Sequence, residues 1–262
     1  MRTKPLTYLK FAQVLLALTV IAAVAAVLLE RAQPDAQWPP GLLLGLALAS
    51  TLVSLARTLP LQNIIAGVLL ILGIAGGIQT LGATTGIPYG PVVFMDVSGE
   101  KMFNALPWTA PFLWVVILMN CRGVARLMLR PWRKLRTYGF KVIGVTCLLC
   151  LLFDFGLEPF AIRLKHYWLF LSAADHSGWF GAPWVNFLGW AVTALFVLAF
   201  LTPWLINKRP VAHPPDFHPL VMWGTLNLFL AASLALHALW VPAVFAAAVT
   251  LIGAVSAWRN AT

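Results

Sequence analysis

Two carboxylates four residues apart, Asp154 and Glu158, are the residues of this sequence best suited to chemistry. The 262-residue chain has only eight Asp and Glu residues, and these two lie at the end of the apolar stretch Thr146–Leu157. A spacing of four places both side chains on one face of a helix. Pro159 follows directly and predicts that the helix ends there. We therefore expect the pair at a membrane boundary, where water and an apolar molecule can both arrive and where carboxylates are candidate functional groups.

The composition indicates which kind of protein must position this pair. Apolar residues make up 61% of the chain and charged residues 10%, and the mean hydropathy is +0.86. These values are typical of a polytopic membrane protein, so we predict an all-α helical bundle forming one transmembrane domain over residues 1–262. The net charge of +10 then belongs to the loops and does not indicate nucleic-acid binding.

Uncharged stretches of the sequence predict eight transmembrane helices. Their approximate positions are 11–29, 41–57, 61–80, 105–121, 138–157, 184–206, 219–236 and 240–257. The last two form a hairpin if the chain breaks near Trp240 and Pro242, whereas one long tilted helix with a surface segment would leave seven spans. A signal peptide at Lys4–Glu30 is less favoured, because its apolar stretch is longer than an h-region and many more spans follow.

The basic residues predict the orientation of the bundle. In the eight-span arrangement most Lys and Arg residues, including the run Arg122–Lys141, fall on one side, which the positive-inside rule makes cytoplasmic. Both termini would then lie in the cytoplasm, and the membrane would be the inner membrane of a bacterium. Seven of the eight carboxylates would lie outside or at the outer edge, with Asp216 as the exception. We interpret Arg122–Lys141 as a topology determinant with ordinary lipid attraction rather than as an anionic ligand site.

Two other groups of potential ligands are present. Cys147 and Cys150 form a CxxC pattern within an apolar span, and we interpret them as packing residues rather than as redox or metal ligands. His213, Asp216 and His218 could bind a metal ion, but no second cluster supports such a site. We therefore expect neither a metal nor a cofactor.

Missing motifs exclude several enzyme classes. Five scattered histidines are too few for the di-iron site of a membrane hydroxylase or desaturase. No paired-aspartate motif is present to hold magnesium and a prenyl diphosphate, and no GxGxxG follows a strand to bind a dinucleotide. Oxygen activation, prenyl transfer and hydride transfer are therefore disfavoured.

Further polar and aromatic residues are predicted to gather on the outer side with the carboxylate pair. These candidate substrate-binding residues are Tyr89 in Gly86-Ile-Pro-Tyr-Gly90, Trp108 at the start of span four, Tyr167 and Trp168 after span five, and Trp184, Asn186 and Trp190 in Gly181–Trp190. An aromatic belt at the membrane interface could explain any single Trp or Tyr. It does not account for Asp154, Glu158 and Asn186, whose burial near hydrocarbon is costly without partners.

The order of these residues resembles that of a known family. Five elements follow one another along the chain: GxPYG, Pro-Trp opening a span, Asp-x-x-x-acid-Pro at a helix end, Tyr-Trp, and Gly-x-Pro-x-x-Asn-Phe-x-Gly-Trp. This order is similar to the pattern of carotenoid biosynthesis membrane proteins, which include the CruF-type carotenoid 1,2-hydratases. The resemblance covers about residues 80–206. It implies addition of water across the terminal carbon–carbon double bond of an acyclic carotenoid end group, giving a tertiary alcohol without a redox cofactor. The chain departs from the family pattern at Glu158, where the family has Asp, and at Pro91, Val93 and Phe94, where it has tyrosines.

Hydration also agrees with the residue types themselves. Adding water to a trisubstituted alkene starts with a proton delivered to the less substituted carbon, and water captures the tertiary cation that results. The site needs a carboxylic acid that stays protonated near neutral pH, which partial burial beside a second carboxylate favours. We expect Asp154 or Glu158 to be this acid and the other to orient water, with the assignment left open. A helix-end acid satisfied by Arg163 or Lys165 is the structural alternative.

The neighbouring residues have expected roles in the same reaction. Trp168, Trp184 and Trp190 are candidates to face the developing cation, and Asn186 could hold the water through its amide.

Two other functions remain open. The first is a membrane protein that binds or transports a lipid or isoprenoid and uses Asp154 and Glu158 as a proton relay, and the second is a non-catalytic partner of pigment enzymes. The expected partners are an apolar polyene or carotenoid, water and the lipid bilayer, with other carotenoid enzymes as further candidates.

Overall fold

The structure is a computed structural model and describes residues 4–33, 36–171, 178–205 and 214–261. Within these residues it has eight helices that are long and apolar enough to cross a membrane. They are α1 (Lys4–Ala32), α2 (Trp38–Leu55), α3 (Leu61–Thr85), α4 (Thr109–Met128), α5 (Tyr138–Pro159), α6 (Trp184–Leu201), α7 (His218–Leu236) and α8 (Trp240–Ala261). The prediction of an all-α membrane helical bundle is confirmed.

The last two predicted spans are separate helices. α7 ends at Leu236 and α8 begins at Trp240, so the segment that could have formed one long helix is a hairpin. Its turn includes Ala238, whose φ of 59° lies in the left-handed region and cannot continue a right-handed helix. The two helices then pack against each other.

α4 runs through the centre of the bundle. Every residue from Trp114 to Cys121 is buried, and α4 packs against α2, α3, α5, α7 and α8. A helix that is apolar on all faces requires such a surrounded position. Asn120 adds a polar tie, because its Nδ2 donates to Thr51 Oγ1 of α2 at 2.8 Å.

Short strands connect the loops at the end of the bundle that carries the site. β1 (Val92–Phe94), which follows α3, pairs in antiparallel fashion with β4 (Trp168–Phe170), which follows α5. Two small hairpins lie in the same connections, β2 (Lys101–Met102) with β3 (Leu106–Pro107), and β5 (Gly178–Trp179) with β6 (Ala182–Pro183). The β1–β4 pairing holds the loop after α3 against the loop after α5.

Pro159 is the last residue of α5, but the chain stays helical beyond it, so the prediction that the helical segment ends there was wrong. The chain continues beyond α5 as a π-helical turn over Phe160–Leu164. Proline lacks the N–H that would bond to the carbonyl of Phe155, but Trp179 Nε1 donates to that carbonyl at 2.8 Å. Because the freed carbonyl is satisfied, the helix can continue through the apolar region. The carboxylate pair therefore lies inside the fifth membrane-length apolar segment, which reaches Leu164.

Candidate functional site

Four of the predicted site residues meet in one polar cluster inside the bundle. Asp154 and Glu158 lie one turn apart on α5 and are 0% and 2% exposed. Asn186, in the first turn of α6, donates its Nδ2 to both: the distances are 3.1 Å to Asp154 Oδ2 and 2.9 Å to Glu158 Oε1. Trp168 of β4 donates its Nε1 to Glu158 Oε2 at 2.9 Å. The cluster therefore joins α5, α6 and the β1–β4 ladder.

The two carboxyl groups are placed to share a proton. Asp154 Oδ1 is buried and has no hydrogen-bond donor among the described residues, while the Glu158 carboxyl lies within hydrogen-bonding reach of Asp154. Two ionised carboxylates this close in an apolar interior repel each other and lack the solvation of water. One proton on the pair removes the repulsion between the two charges and gives Asp154 Oδ1 a hydrogen-bond donor, so that one buried negative charge is left.

Cations do not explain how the pair is satisfied. Arg163 Nε donates to the carbonyl of Phe180 at 2.8 Å. Lys165 forms a buried ion pair with Glu30, with Nζ 2.6 Å from Oε2. The described contacts of both side chains are with other groups, so the structure favours Asn186 and Trp168 as partners of the carboxyls over the expected Arg163 or Lys165.

A cavity of about 440 Å³ lies beside the cluster. Glu158 and Asn186 line it, whereas Asp154 is not part of its wall. Most of the remaining wall is apolar, and its aromatic members are Trp38, Tyr89, Phe94, Trp114, Phe153, Phe160, Tyr167, Trp168, Phe170, Trp190 and Phe229. A cavity of this size and lining suits an apolar ligand that meets a few polar groups at one place.

The Tyr89 ring forms a fixed wall of this cavity. It is held between Gly82 of α3 and Gly189 of α6, and a Cβ atom at either glycine would lie 2.6 Å from a ring carbon. The Tyr89 hydroxyl is 2.6 Å from Thr193 Oγ1 on α6. Burial raises the pKa of this hydroxyl above its ordinary value, so it stays neutral and serves as a hydrogen-bonding group.

The residues after α5 also line the cavity. Tyr167 and Trp168 both line the cavity. Trp168 lies opposite Phe94 in the β1–β4 ladder, and their rings meet edge to face with centroids 5.8 Å apart. Phe94 is one of the positions at which the family pattern has tyrosine, so this departure changes the lining of the cavity itself.

Two predicted residues are not brought to the cavity. Trp108 is 55% exposed at the start of α4, and Trp184 is 57% exposed at the start of α6. Trp184 packs against Phe155 and Phe187, with ring centroids 6.4 and 5.8 Å away. Neither indole belongs to the cavity wall, and both positions are typical of a membrane-interface aromatic.

Trp114 and Gln79 are among the cavity residues that were not predicted from the sequence. Trp114 is fully buried on α4 and stacks on Trp190 with centroids 4.3 Å apart and an interplanar angle of 25°. Gln79 lines the cavity from α3. The signal for Gln79 was available, because an amide deep in an apolar helix is costly without a role. Trp114 carries no such signal in the sequence, since its placement depends on how α4 packs.

The other potential ligand groups make their described contacts with residues outside the cluster. Cys121, Cys147 and Cys150 are free thiols, and Cys150 contacts Cys121. His218 Nε2 is 2.9 Å from Ser50 Oγ, while His213 lies outside the described residues. Within the described ranges, no three His, Cys, Asp or Glu side chains are grouped to hold a metal ion.

Comparisons with known proteins give a consistent result. Residues 40–253 match the family described as "Carotenoid biosynthesis protein". The chain is also 25% identical over 192 residues to the bisanhydrobacterioruberin hydratase of Haloarcula japonica. That alignment covers 70% of this chain and 59% of the relative, so this chain spans less than two thirds of the relative's length. No solved structure matches the chain. Because the family match extends over most of the sequence, the chain belongs to the carotenoid biosynthesis protein family.

Proposed function

We propose that this protein is a membrane carotenoid hydratase, which adds water across the terminal carbon–carbon double bond of an acyclic carotenoid end group to give a tertiary alcohol. The observation that carries the proposal is the buried pair of carboxyl groups, of which Glu158 lines a largely apolar cavity and Asp154 lies one helical turn before it on α5. The family match and the hydratase relative support a carotenoid-modifying role. The polyene is the apolar ligand, and the carboxyl pair supplies the proton.

Glu158 is the proposed acid because it faces the cavity and Asp154 does not. Its proton moves to the less substituted alkene carbon, the π bond breaks, and a tertiary cation forms on the neighbouring carbon. The Glu158 carboxylate that remains accepts hydrogen bonds from Asn186 and Trp168. These two donors are already in place before the reaction, so they stabilise the developing negative charge without reorganisation.

The cavity wall stabilises the cation and the water completes the reaction. Trp168, which donates to Glu158, and Trp190 both line the cavity, and an aromatic face over a desolvated cation contributes up to about 2 kcal/mol. Water forms the new carbon–oxygen bond and returns one proton to the carboxyl pair, which regenerates the acid. The carbonyl oxygen of Asn186 is the acceptor that orients this water.

The distribution of basic residues supports an orientation for the site. Lys and Arg are concentrated in the connections at the end of the bundle away from the cluster, including Arg122–Lys141. The positive-inside rule then places both termini in the cytoplasm and the cavity in the outer half of a bacterial inner membrane.

Isotopically labelled water tests the reaction directly. Membranes containing the protein are incubated without oxygen with an acyclic carotenoid such as lycopene in ¹⁸O-labelled water, and the pigments are analysed by mass spectrometry. We expect the pigment to gain one water that contains the heavy oxygen. A requirement for oxygen, or no change in any acyclic carotenoid, would contradict the hydratase proposal and favour a binding or transport role.

A further inference from the structure

A buried ion pair joins three separate connections of the bundle. Lys165, in the segment after α5, places its Nζ 2.6 Å from Oε2 of Glu30 near the end of α1, and the two side chains are 1% and 4% exposed. Lys165 Nζ also donates to the carbonyl of Ala36, before α2, at 3.2 Å. In the turn after α7, His237 Nε2 lies 3.5 Å from Glu30 Oε1. The pair therefore ties the α1–α2 and α7–α8 connections to the segment after α5.

Such a pair contributes little net stability. Removing two charges from water has a desolvation cost that the attraction between them only roughly offsets, and well-packed apolar side chains at two such positions are often equally stable. What the ion pair supplies is a defined geometry, because the 2.6 Å contact fixes Lys165 relative to Glu30. Its effect is therefore expected at the residues that Lys165 positions.

The chain makes a sharp turn directly after Lys165. The Lys165 N–H donates to the Phe160 carbonyl at 3.0 Å, and the Tyr167 N–H donates to the Ala161 carbonyl at 2.9 Å. Between them His166 has a φ of 53°, in the left-handed region that is unfavourable for residues other than glycine. A backbone conformation of this kind persists only when the surrounding contacts hold it. The contacts of Lys165 on one side and the β1–β4 ladder on the other provide that support.

Trp168 is the residue that this turn presents to the carboxyl pair. It begins β4 two residues after His166, it lines the cavity, and its Nε1 donates to Glu158 Oε2 at 2.9 Å. Lys165 precedes Trp168 by three residues, so a change in the position of Lys165 passes directly to the Trp168 backbone. We propose that Glu30 and Lys165 are positioning residues, whose ion pair fixes the turn after α5 and thereby holds the Trp168 indole on Glu158. The importance of that hydrogen bond for turnover rests on the proposed function.

A double-mutant cycle tests this link. Glu30→Leu with Lys165→Met removes both charges together and leaves neither partner buried and unpaired, so the protein should still fold. We expect this variant to lower kcat for an acyclic carotenoid by about three- to tenfold, up to the effect of losing the Trp168 hydrogen bond. In a Trp168→Phe background the same change should lower kcat by less than about twofold, because the hydrogen bond on which it acts is already absent. Turnover is normalised to the amount of folded protein in the membrane.

Arg57 and Asp216 provide the matched control. Their ion pair of 3.4 Å joins the residue stretch after α2 to the one before α7, and both side chains are partly exposed. Arg57→Met with Asp216→Asn should leave kcat unchanged in both backgrounds. Equal losses from the Glu30 and Lys165 change in the wild-type and Trp168→Phe backgrounds would contradict the proposal, as would no loss in the wild-type background. If the first variant does not accumulate in the membrane, Glu30→Gln with Lys165→Met carries the same expectation and keeps the size of the side chain at position 30.

Infrared spectroscopy separates this inference from the proposed function. The carboxyl stretching band of the protonated pair, identified by its loss in Asp154→Asn with Glu158→Gln, reports the hydrogen bonding of the acid without any turnover. We expect Glu30→Leu with Lys165→Met to shift this band in the same direction as Trp168→Phe. The same shift in a protein that hydrates no carotenoid would support the positioning role while the hydratase function fails. A band that keeps its wild-type frequency in the Glu30 and Lys165 variant would show that the positioning role is wrong, whatever the turnover.

Discussion

Replacing Glu158 with Gln tests the central step of the proposed mechanism. The substitution keeps the size of the side chain and removes the proton that the carboxyl delivers. Loss of a general acid lowers rates by about 10²- to 10⁴-fold, which corresponds to about 3 to 5 kcal/mol of barrier. We therefore expect turnover of an acyclic carotenoid to fall by at least about 100-fold. Asp154→Asn should cause a similar loss, because an amide at position 154 cannot share a proton with Glu158.

The substitution also has a calculable structural cost. Both Glu158 oxygens accept hydrogen bonds, one from Asn186 at 2.9 Å and one from Trp168 at 2.9 Å. A glutamine has one oxygen, so its NH₂ group must face one of these donors. Two buried N–H donors that face each other leave a hydrogen bond unmade, which costs about 1–3 kcal/mol of folding free energy. Turnover must therefore be normalised to the amount of folded protein in the membrane.

Trp168→Phe is the matched comparison for Glu158→Gln. It removes one hydrogen bond to Glu158 but leaves the acid in place, so its effect should be about tenfold or less. The assay is pigment extraction from a lycopene-producing host, with products quantified by chromatography and protein measured by immunoblot. Substitution of Cys147 and Cys150 together by Ala should leave turnover almost unchanged. Near-normal turnover in Glu158→Gln and none in the double cysteine variant would refute the assignment.

Two further predictions follow from packing and from charge. In a thermal-unfolding assay of the detergent-solubilised protein, Gly189→Ala should lower the stability by about 1–3 kcal/mol, because the Tyr89 ring is already held on its other side by Gly82. Tyr89→Phe loses only the contact with Thr193 and should lower the stability by about 1 kcal/mol in the same assay. In intact cells, an impermeant thiol reagent should label a cysteine at exposed Glu100 and not one at exposed Thr137. Labelling at position 137 would reverse the proposed orientation.

The sequence predicts this fold well because the physical signal is strong. Spans of 18 or more apolar residues can be located without knowing how they pack, and all eight predicted spans correspond to helices. The convergence of Asp154, Glu158 and Asn186 follows from a related argument, since polar groups in apolar surroundings must find one another. Their hydrogen bonds agree with that expectation.

What the sequence does not reveal depends on contacts between distant segments. Proline normally ends a helix, and the Trp179 indole at the Phe155 carbonyl explains how the chain stays helical beyond Pro159. Spacing also cannot distinguish an indole that is exposed at the surface, such as Trp108, from one that lines a cavity, such as Trp114, because both lie in similar apolar sequence. Helix rotation within the bundle decides between them.

The size of the cavity has a consequence for the order of events on a long substrate. A volume of about 440 Å³ accommodates one end of an extended polyene and not the whole molecule. Under the proposed function, the remainder of the chain stays among the lipid tails while one terminus is processed. A polyene with two equivalent ends must therefore leave, reorient in the bilayer and enter again. The singly hydrated pigment should consequently appear as a free intermediate before the doubly hydrated one, so the supply of polyene relative to protein would determine which alcohol the membrane accumulates.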